Sequence, residues 1–214
     1  MMQERMTAIK NAKLAEDIDT KFTLSDAVKK AIALTNREAF VPAGFRHNAY
    51  KLDALPIGAN QWISSPLTVA KMSEYLYPQG ADSVLEVGCG SGYQAAVLAK
   101  LFRRVFTIER IEPLMLEAKQ RFRSLNISNI HTRTDDGQGG WVQYAPYDRI
   151  LFSASATQIP QKLIDQLAPD GIIVAPMEKN GKQVITRFTK SGNSLQAEEL
   201  EECEFVPVLN GVQK

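Results

Sequence analysis

Apolar positions recur along this chain in two rhythms. Over the first quarter the period is helical, and residues 5–18 and 26–34 each predict a helix. Ser25 stands as N-cap of the second, with Asp26 in its first turn, where a carboxylate suits the helix dipole. Residues 40–65 keep no period. Pro42, Gly44, Pro56 and Gly58 interrupt apolar Leu55, Ile57, Trp62 and Ile63. This predicts a long, packed loop of the kind that carries function. Ser65-Pro66 then predicts a new helix, serine at N-cap and proline at N1, running to about Tyr77 and stopping before Pro78.

Beyond Pro78, strand and helix alternate. Ser83–Val87 predicts a strand, Tyr93–Leu101 a helix, Arg104–Glu109 a strand and Glu112–Ser124 a helix. Ile130–Thr134 and Tyr147–Phe152 predict two more strands, Pro160–Leu167 a helix, and Gly171–Ala175 a fifth strand. Such βαβα alternation implies an α/β fold, a mostly parallel, doubly wound sheet with helices on both faces. Gln183–Lys190 and Glu199–Val208 follow with no long helix between them and predict two antiparallel strands at one edge. The 214 residues suit one domain: N-terminal helices and loop over 1–78, the βα core over 79–176, and C-terminal strands over 177–214.

Composition narrows the function by exclusion. A formal net charge of +1 provides no basic field to attract nucleic acid. Cys89 and Cys203 are the only cysteines, and they are far apart, so neither a disulfide framework nor a CxxC metal site is expected. The first residues are charged throughout, and no apolar run of about 18 residues occurs, so neither a signal peptide nor a membrane span is expected. A cytoplasmic protein follows as the default, and a monomer or weak oligomer is the expectation.

The chemistry concentrates at Val84-Leu85-Glu86-Val87-Gly88-Cys89-Gly90-Ser91-Gly92-Tyr93. A buried strand runs into three glycines and then a helix, so a ligand can lie against bare backbone and the free N–H groups of a helix start. The spacing is GxGxG, not the dinucleotide GxGxxG. Glu86 precedes the first glycine by two positions. Glu109 closes the second strand, where a carboxylate can accept from both hydroxyls of a ribose. Carboxylates near such a loop repel a pyrophosphate but suit a sulfonium and an amino group. S-adenosylmethionine (SAM) is therefore favoured over NAD. Asp136-Gly137, after the third strand, offers an acceptor for the amine of adenine, with Asp135 beside it as the alternative; a plain turn is the other reading.

These motifs resemble the protein-L-isoaspartate O-methyltransferases over about residues 36–209. The resemblance is carried by Asn36-Arg37-Glu38-Ala39-Phe40-Val41, Leu55-Pro56-Ile57-Gly58 and Gln61-Trp62-Ile63-Ser64-Ser65-Pro66. It continues through the glycine loop, Ile108-Glu109-Arg110, Asp136-Gly137, Ala145-Pro146-Tyr147-Asp148 and Phe205-Val206-Pro207-Val208. It implies a seven-stranded Rossmann-like sheet with its last strands ordered unlike most SAM enzymes, and S-adenosylhomocysteine as the product. It implies Ser64 as the active-site serine. On the substrate side it implies Ile57, Gln61, Trp62, Ile63 and Val206. On the cofactor side it implies Glu86, Gly88, Gly90, Ser91, Gly92, Glu109, Asp136 and Gly137. The substrates implied are isoaspartyl (or D-aspartyl) peptides and proteins. The chain departs from the family pattern at Asn36, Trp62, Asp135 and Ser153–Thr157. Two alternatives stay open: a related SAM-dependent methyltransferase with another carboxylate acceptor, and a SAM-binding adaptor without turnover.

A carboxylate acceptor needs no general base, because its pKa of about 3.9 leaves it ionised at neutral pH. The two histidines, His47 and His131, fall in no matched motif and are expected to be structural or superficial. Ser64 is expected to position the acceptor, since no GxSxG elbow surrounds it. Residues 55–65 are expected to cover the cofactor, and Phe205–Val208 to offer an edge to an extended peptide. Cys89 and Trp141 are expected to pack.

Overall fold

The N-terminal rhythm folds as its spacing dictates. In the computed structural model, which describes residues 2–192 and 194–214, α1 is Met2–Asp19 and α2 is Asp26–Ala33. Leu14 and Ile18 of α1 and Val28 and Ile32 of α2 lie four residues apart, one turn of helix, and all four are buried in one core. The Ser25 hydroxyl accepts from the Val28 N–H at 3.4 Å, the cap that its sequence predicts. It also donates to Glu74 at 3.0 Å. The unpatterned stretch is not structureless. It holds two 3-10 turns, Arg37–Phe40 and Ala43–Asn48, and a small antiparallel hairpin of β1 (Leu55–Pro56) and β2 (Trp62–Ile63). Helix α3 (Pro66–Tyr75) starts where Ser65 accepts from the Thr68 N–H at 3.0 Å. It stops two residues short of Tyr77, which takes a left-handed φ of 46° just before Pro78.

The alternating region forms one seven-stranded sheet. Its members are β3 (Ser83–Val87), β4 (Arg104–Glu109), β5 (Ile130–Thr134), β6 (Tyr147–Phe152), β7 (Leu167–Lys179), β8 (Lys182–Ser191) and β9 (Ser194–Cys203). Their order across the sheet is β5-β4-β3-β6-β7-β8-β9. The strands from β5 to β7 run parallel; β8 and β9 are antiparallel additions. Between β3 and β6 the direction of winding reverses, which leaves a crevice beyond the C-terminal strand ends.

Helices α4 (Tyr93–Leu98), α5 (Glu112–Ser124) and α6 (Gln161–Asp165) complete the fold. Alternate strand residues serve opposite faces. Val84, Val105, Leu151 and Val174 join the core under α1 to α5. Leu85, Phe106, Ile150 and Ile173 join a second core with Leu163 of α6. Helices cover both faces, as predicted, but unequally. Beside α6 the second face is closed by rings: Phe106 stacks on Tyr144 at 4.7 Å and on His131 at 4.9 Å, and Trp141 meets Phe106 edge-on.

Several boundaries differ from the sequence pattern: α4 ends at Leu98 rather than Leu101, and β7 runs on to Lys179 rather than Ala175. The helix predicted over Pro160–Leu167 ends at Asp165, and β7 begins at Leu167 rather than Gly171. Gln166 turns the chain there: its side chain accepts from the Trp141 N–H at 2.7 Å and donates to the Gly139 carbonyl at 3.0 Å. Leu167 then already pairs with Tyr147. The last strand was expected over Glu199–Val208 but spans Ser194–Cys203, because the pairing of Ser191 with Ser194 sets the register. The Gln183 amide then ends the ladder, accepting from the Phe205 N–H at 2.7 Å and donating to the Phe205 carbonyl at 3.1 Å. Residues 206–208 cross instead to Ser155, whose N–H and C=O bond Val206 and Val208. The chain end continues to Gln213, which exchanges backbone bonds with Arg110 and Glu112. Residues 206–213 thus strap the crevice from beyond β6 to beyond β4.

Candidate active site

The crevice holds a cleft of about 860 Å³, counting its open mouth. One wall is the glycine loop. Gly88, Gly90 and Gly92 all have positive φ, 96°, 52° and 88°. At Gly92, the N-cap of α4, a side chain is also barred by space: an added Cβ would come 2.7 Å from the Phe122 ring. The Gly88 N–H donates to the Ile108 carbonyl at 2.9 Å, which pins the loop to the end of β4. Ser91 lines the cleft, and its hydroxyl accepts from the Tyr93 N–H at 3.2 Å.

Glu109 ends β4 at the cleft wall and is buried. One carboxylate oxygen accepts from the Gly90 N–H and the other from the Ile111 N–H, both at 2.9 Å. Each oxygen has a second lone pair, so the group is fixed yet can still accept from two hydroxyls.

Glu86 is placed differently from the sequence expectation of a charge facing the ligand. It is wholly buried behind the wall and does not line the cleft. The Thr107 and Ser153 hydroxyls donate to its two oxygens at 2.6 and 3.0 Å. Burial pushes its pKa up to about 8, so the carboxyl is mostly neutral at pH 7. Ser153 does line the cleft, one hydrogen bond in front of Glu86.

Of the pair after β5, Gly137 lines the cleft and Asp136 does not. Gly137 lies so close to β3 that a Cβ would meet Val87 at 2.6 Å. The Asp136 carboxylate turns outward, accepting from the Gln138 N–H at 3.0 Å and from the Gly211 N–H of the strap at 2.9 Å. Asp135 pairs with Arg133.

The opposite wall comes from the N-terminal loop. Gln61, Trp62, Ile63 and Ser64 all line the cleft. Ile63 is buried, whereas Trp62 is 54 % exposed at the mouth. Ile57 reaches over the glycine loop, 3.8 Å from where a Gly90 Cβ would stand. The Ser64 carbonyl accepts from Arg37 at 2.9 Å, and its hydroxyl has no protein partner among the described residues. Val206 lines the third side as part of the strap. Cys89 is buried in the loop, and burial pushes its thiol pKa well up, which fits a packing role. His47 is exposed beside Asn48, and His131 is part of the aromatic stack; both lie away from the cleft.

Several contributors stand in segments named from the sequence but were not assigned to the site. Arg110 lines the cleft and grips the strap, donating to the Gly211 carbonyl at 3.0 Å. Tyr93 and Ser153 also form wall. Arg37, wholly buried beneath Ser64, belongs to a quoted motif, but no pattern of neighbours marks an arginine as buried.

A bare-backbone loop, a carboxylate with spare lone pairs and apolar walls from Val87, Ile108 and Ile111 fit a nucleoside carrying an amino-acid arm. On this fold they define a class of protein, the Rossmann-like SAM-dependent methyltransferases. Residues 8–213 match the family model of protein-L-isoaspartate(D-aspartate) O-methyltransferase. The chain is 57 % identical over 209 residues to a protein-L-isoaspartate O-methyltransferase of Helicobacter pylori strain G27, covering 97 % of this chain and 100 % of that one. It is 45 % identical to a protein of the same name from Pseudomonas aeruginosa strain LESB58, covering 88 % and 90 %. A Plasmodium falciparum crystal structure assigned to the same enzyme, in complex with S-adenosyl-L-homocysteine, shares the fold with a TM-score of 0.83. It has 21 % identity, covering 93 % of this chain and 98 % of that one. The chain belongs to the protein-L-isoaspartate(D-aspartate) O-methyltransferase family.

Proposed function

We infer that this protein transfers a methyl group from SAM to the free carboxylate of isoaspartyl (or D-aspartyl) residues in damaged peptides and proteins, as a step in their repair. The observation that carries the reading is the meeting of Ser64 and Glu109 on one cleft, in a chain that matches the family almost end to end. Glu109 would hold the ribose, and the Gly88–Gly92 backbone with Ser91 and Gly137 would cradle the rest of the cofactor. Glu86 would act through Ser153, and Asp136 through the strap. Bound there, SAM supplies a methyl group on a sulfonium, a leaving group that needs no protonation.

The protein's own residues then have a geometric task. The acceptor is ionised at neutral pH, so no side chain need take its proton. The Ser64 hydroxyl donates to the acceptor oxygen that does not attack, a bond worth about 1.5–3 kcal/mol. Holding it there leaves the attacking oxygen unencumbered. Trp62, Ile63 and Gln61 bound the acceptor side, and the strap excludes water from the other. Alignment of this kind can supply roughly 7–11 kcal/mol. One edge of the strap at Val206 and Val208 is already taken by Ser155, so an added peptide strand would use the other. A cytoplasmic location and a monomeric or weakly oligomeric state belong to the same proposal. The unpaired Cys89 and Cys203 support the former.

The test is methyl transfer from labelled SAM to a short isoaspartyl peptide, run beside the L-aspartyl peptide. Labelling of the isoaspartyl peptide alone is expected. Ser64→Ala should lower kcat/KM for it by about 10- to 100-fold. Equal labelling of both peptides would overturn the substrate assignment, and an unimpaired Ser64→Ala would overturn the role of Ser64.

A further inference from the structure

Arg37 is an expensive residue in its setting. It is 0 % exposed, and no carboxylate forms an ion pair with it among the described residues. Its Nε donates to the Ala49 carbonyl at 2.8 Å and its Nη2 to the Ser64 carbonyl at 2.9 Å. The guanidinium lies over the ring of Tyr93, 4.7 Å from Cζ to centroid. Nη1 and the Tyr93 hydroxyl are both buried without a protein partner. Arginine keeps its proton in proteins, so a whole positive charge sits here with no carboxylate beside it, balanced by carbonyl dipoles and by the ring and hydroxyl of Tyr93. Burying a charge so weakly compensated is strongly unfavourable. An apolar side chain of the same length would avoid that cost but leave the Ala49 and Ser64 carbonyls without this donor.

Ala49 and, at 3.5 Å, the Asp53 carbonyl tie Arg37 to the N-terminal loop, and its other two contacts are cleft residues. Ser64 carries the hydroxyl on the acceptor side, and Tyr93 starts the helix that follows the glycine loop. Arg37 therefore joins the acceptor wall to the cofactor wall from behind. The fixed charge lies one hydrogen bond behind the backbone of Ser64, the residue assigned to hold an anionic acceptor. Low-dielectric surroundings screen it weakly, so it favours a carboxylate over any neutral group in that position. Methylation converts the anion to a neutral ester, which loses this attraction.

We propose that Arg37 is a positioning residue whose buried, unpaired charge selects the ionised carboxylate and disfavours the neutral product. The proposal rests on the placement of the acceptor at Ser64. The test uses the full-length protein with saturating S-adenosylhomocysteine. Calorimetry compares an isoaspartyl peptide with the same peptide bearing a carboxamide in place of the free carboxylate. The parent should prefer the acid by about tenfold or more. Arg37→Met should bring that ratio close to one while S-adenosylhomocysteine affinity stays within about threefold. Arg37→Lys should keep most of the preference. If Arg37→Met does not fold, Arg37→Gln gives the same comparison, retaining a carbonyl contact without charge. Equal weakening of both peptides, with the ratio intact, would reduce Arg37 to packing and overturn the proposal. Ser64→Ala separates the two inferences. If it turns over the isoaspartyl peptide like the parent, the acceptor is not at Ser64 and both fall. If it is impaired while Arg37→Met and Arg37→Gln keep the ratio, only the charge proposal falls.

Discussion

Glu109→Ala should raise the dissociation constant for S-adenosylhomocysteine by more than about 100-fold and abolish measurable methyl transfer. Three losses combine. Two hydrogen bonds from ribose hydroxyls to a carboxylate go, each of the charge-assisted kind worth about 1.5–3 kcal/mol. The Gly90 and Ile111 N–H groups, held by this carboxylate at 2.9 Å each, lose their acceptor. The loop whose backbone must stay at a positive φ at Gly90 is then released from its anchor. Glu109→Gln should be intermediate. Its one carbonyl oxygen can serve one N–H, but its NH₂ confronts the other donor with a donor. Calorimetry with S-adenosylhomocysteine, beside thermal unfolding to confirm the fold, checks this. A dissociation constant within threefold of the parent for Glu109→Ala would remove Glu109 from the cofactor site.

Much of this site could be read from the chain because the relevant physics is local. Glycines between a buried strand and a helix admit few backbone paths, and strand-end positions such as Glu109 fall at the crevice by topology alone. Ser65-Pro66 and Ser25 opened helices as their capping chemistry requires. What could not be read depends on contacts distant in sequence. Asp136 was expected to face adenine, yet its carboxylate meets Gly211, 75 positions later. The direction of a side chain at a turn is decided by which distant N–H arrives, and spacing carries no trace of that. The final strand was misplaced for the same reason: the Gln183 side chain captures the backbone of Phe205 and diverts the chain into the strap. Arg37 shows the limit from the other side, since charged residues are so seldom buried that pattern reading assigns them to the surface.

Glu86 also departs from its expected place, and a measurable pH dependence follows. Its pKa rises from the ordinary glutamate value of 4.5 to about 8 because burial penalises the charged form more than the Thr107 and Ser153 hydroxyls favour it. Between those two values the folded state holds a proton that the unfolded state has lost. Stability from this group is therefore complete below about pH 4.5. It declines as pH rises and is fully lost above about pH 8. Glu86→Gln keeps the shape of the neutral acid and cannot ionise. The two hydroxyls can donate to its oxygen or accept from its NH₂, so it should fit with little rearrangement. The variant's advantage over the parent should be smallest near pH 5, grow towards pH 8 and level off beyond it. The increment should be on the order of 2–4 kcal/mol, or about 5–10 °C in melting temperature. Thermal unfolding of both proteins without cofactor at matched pH values reads it directly. A difference that stays constant from pH 5 to pH 9 would mean that Glu86 titrates alike in folded and unfolded chains. That outcome would contradict the burial of this carboxyl behind the cleft.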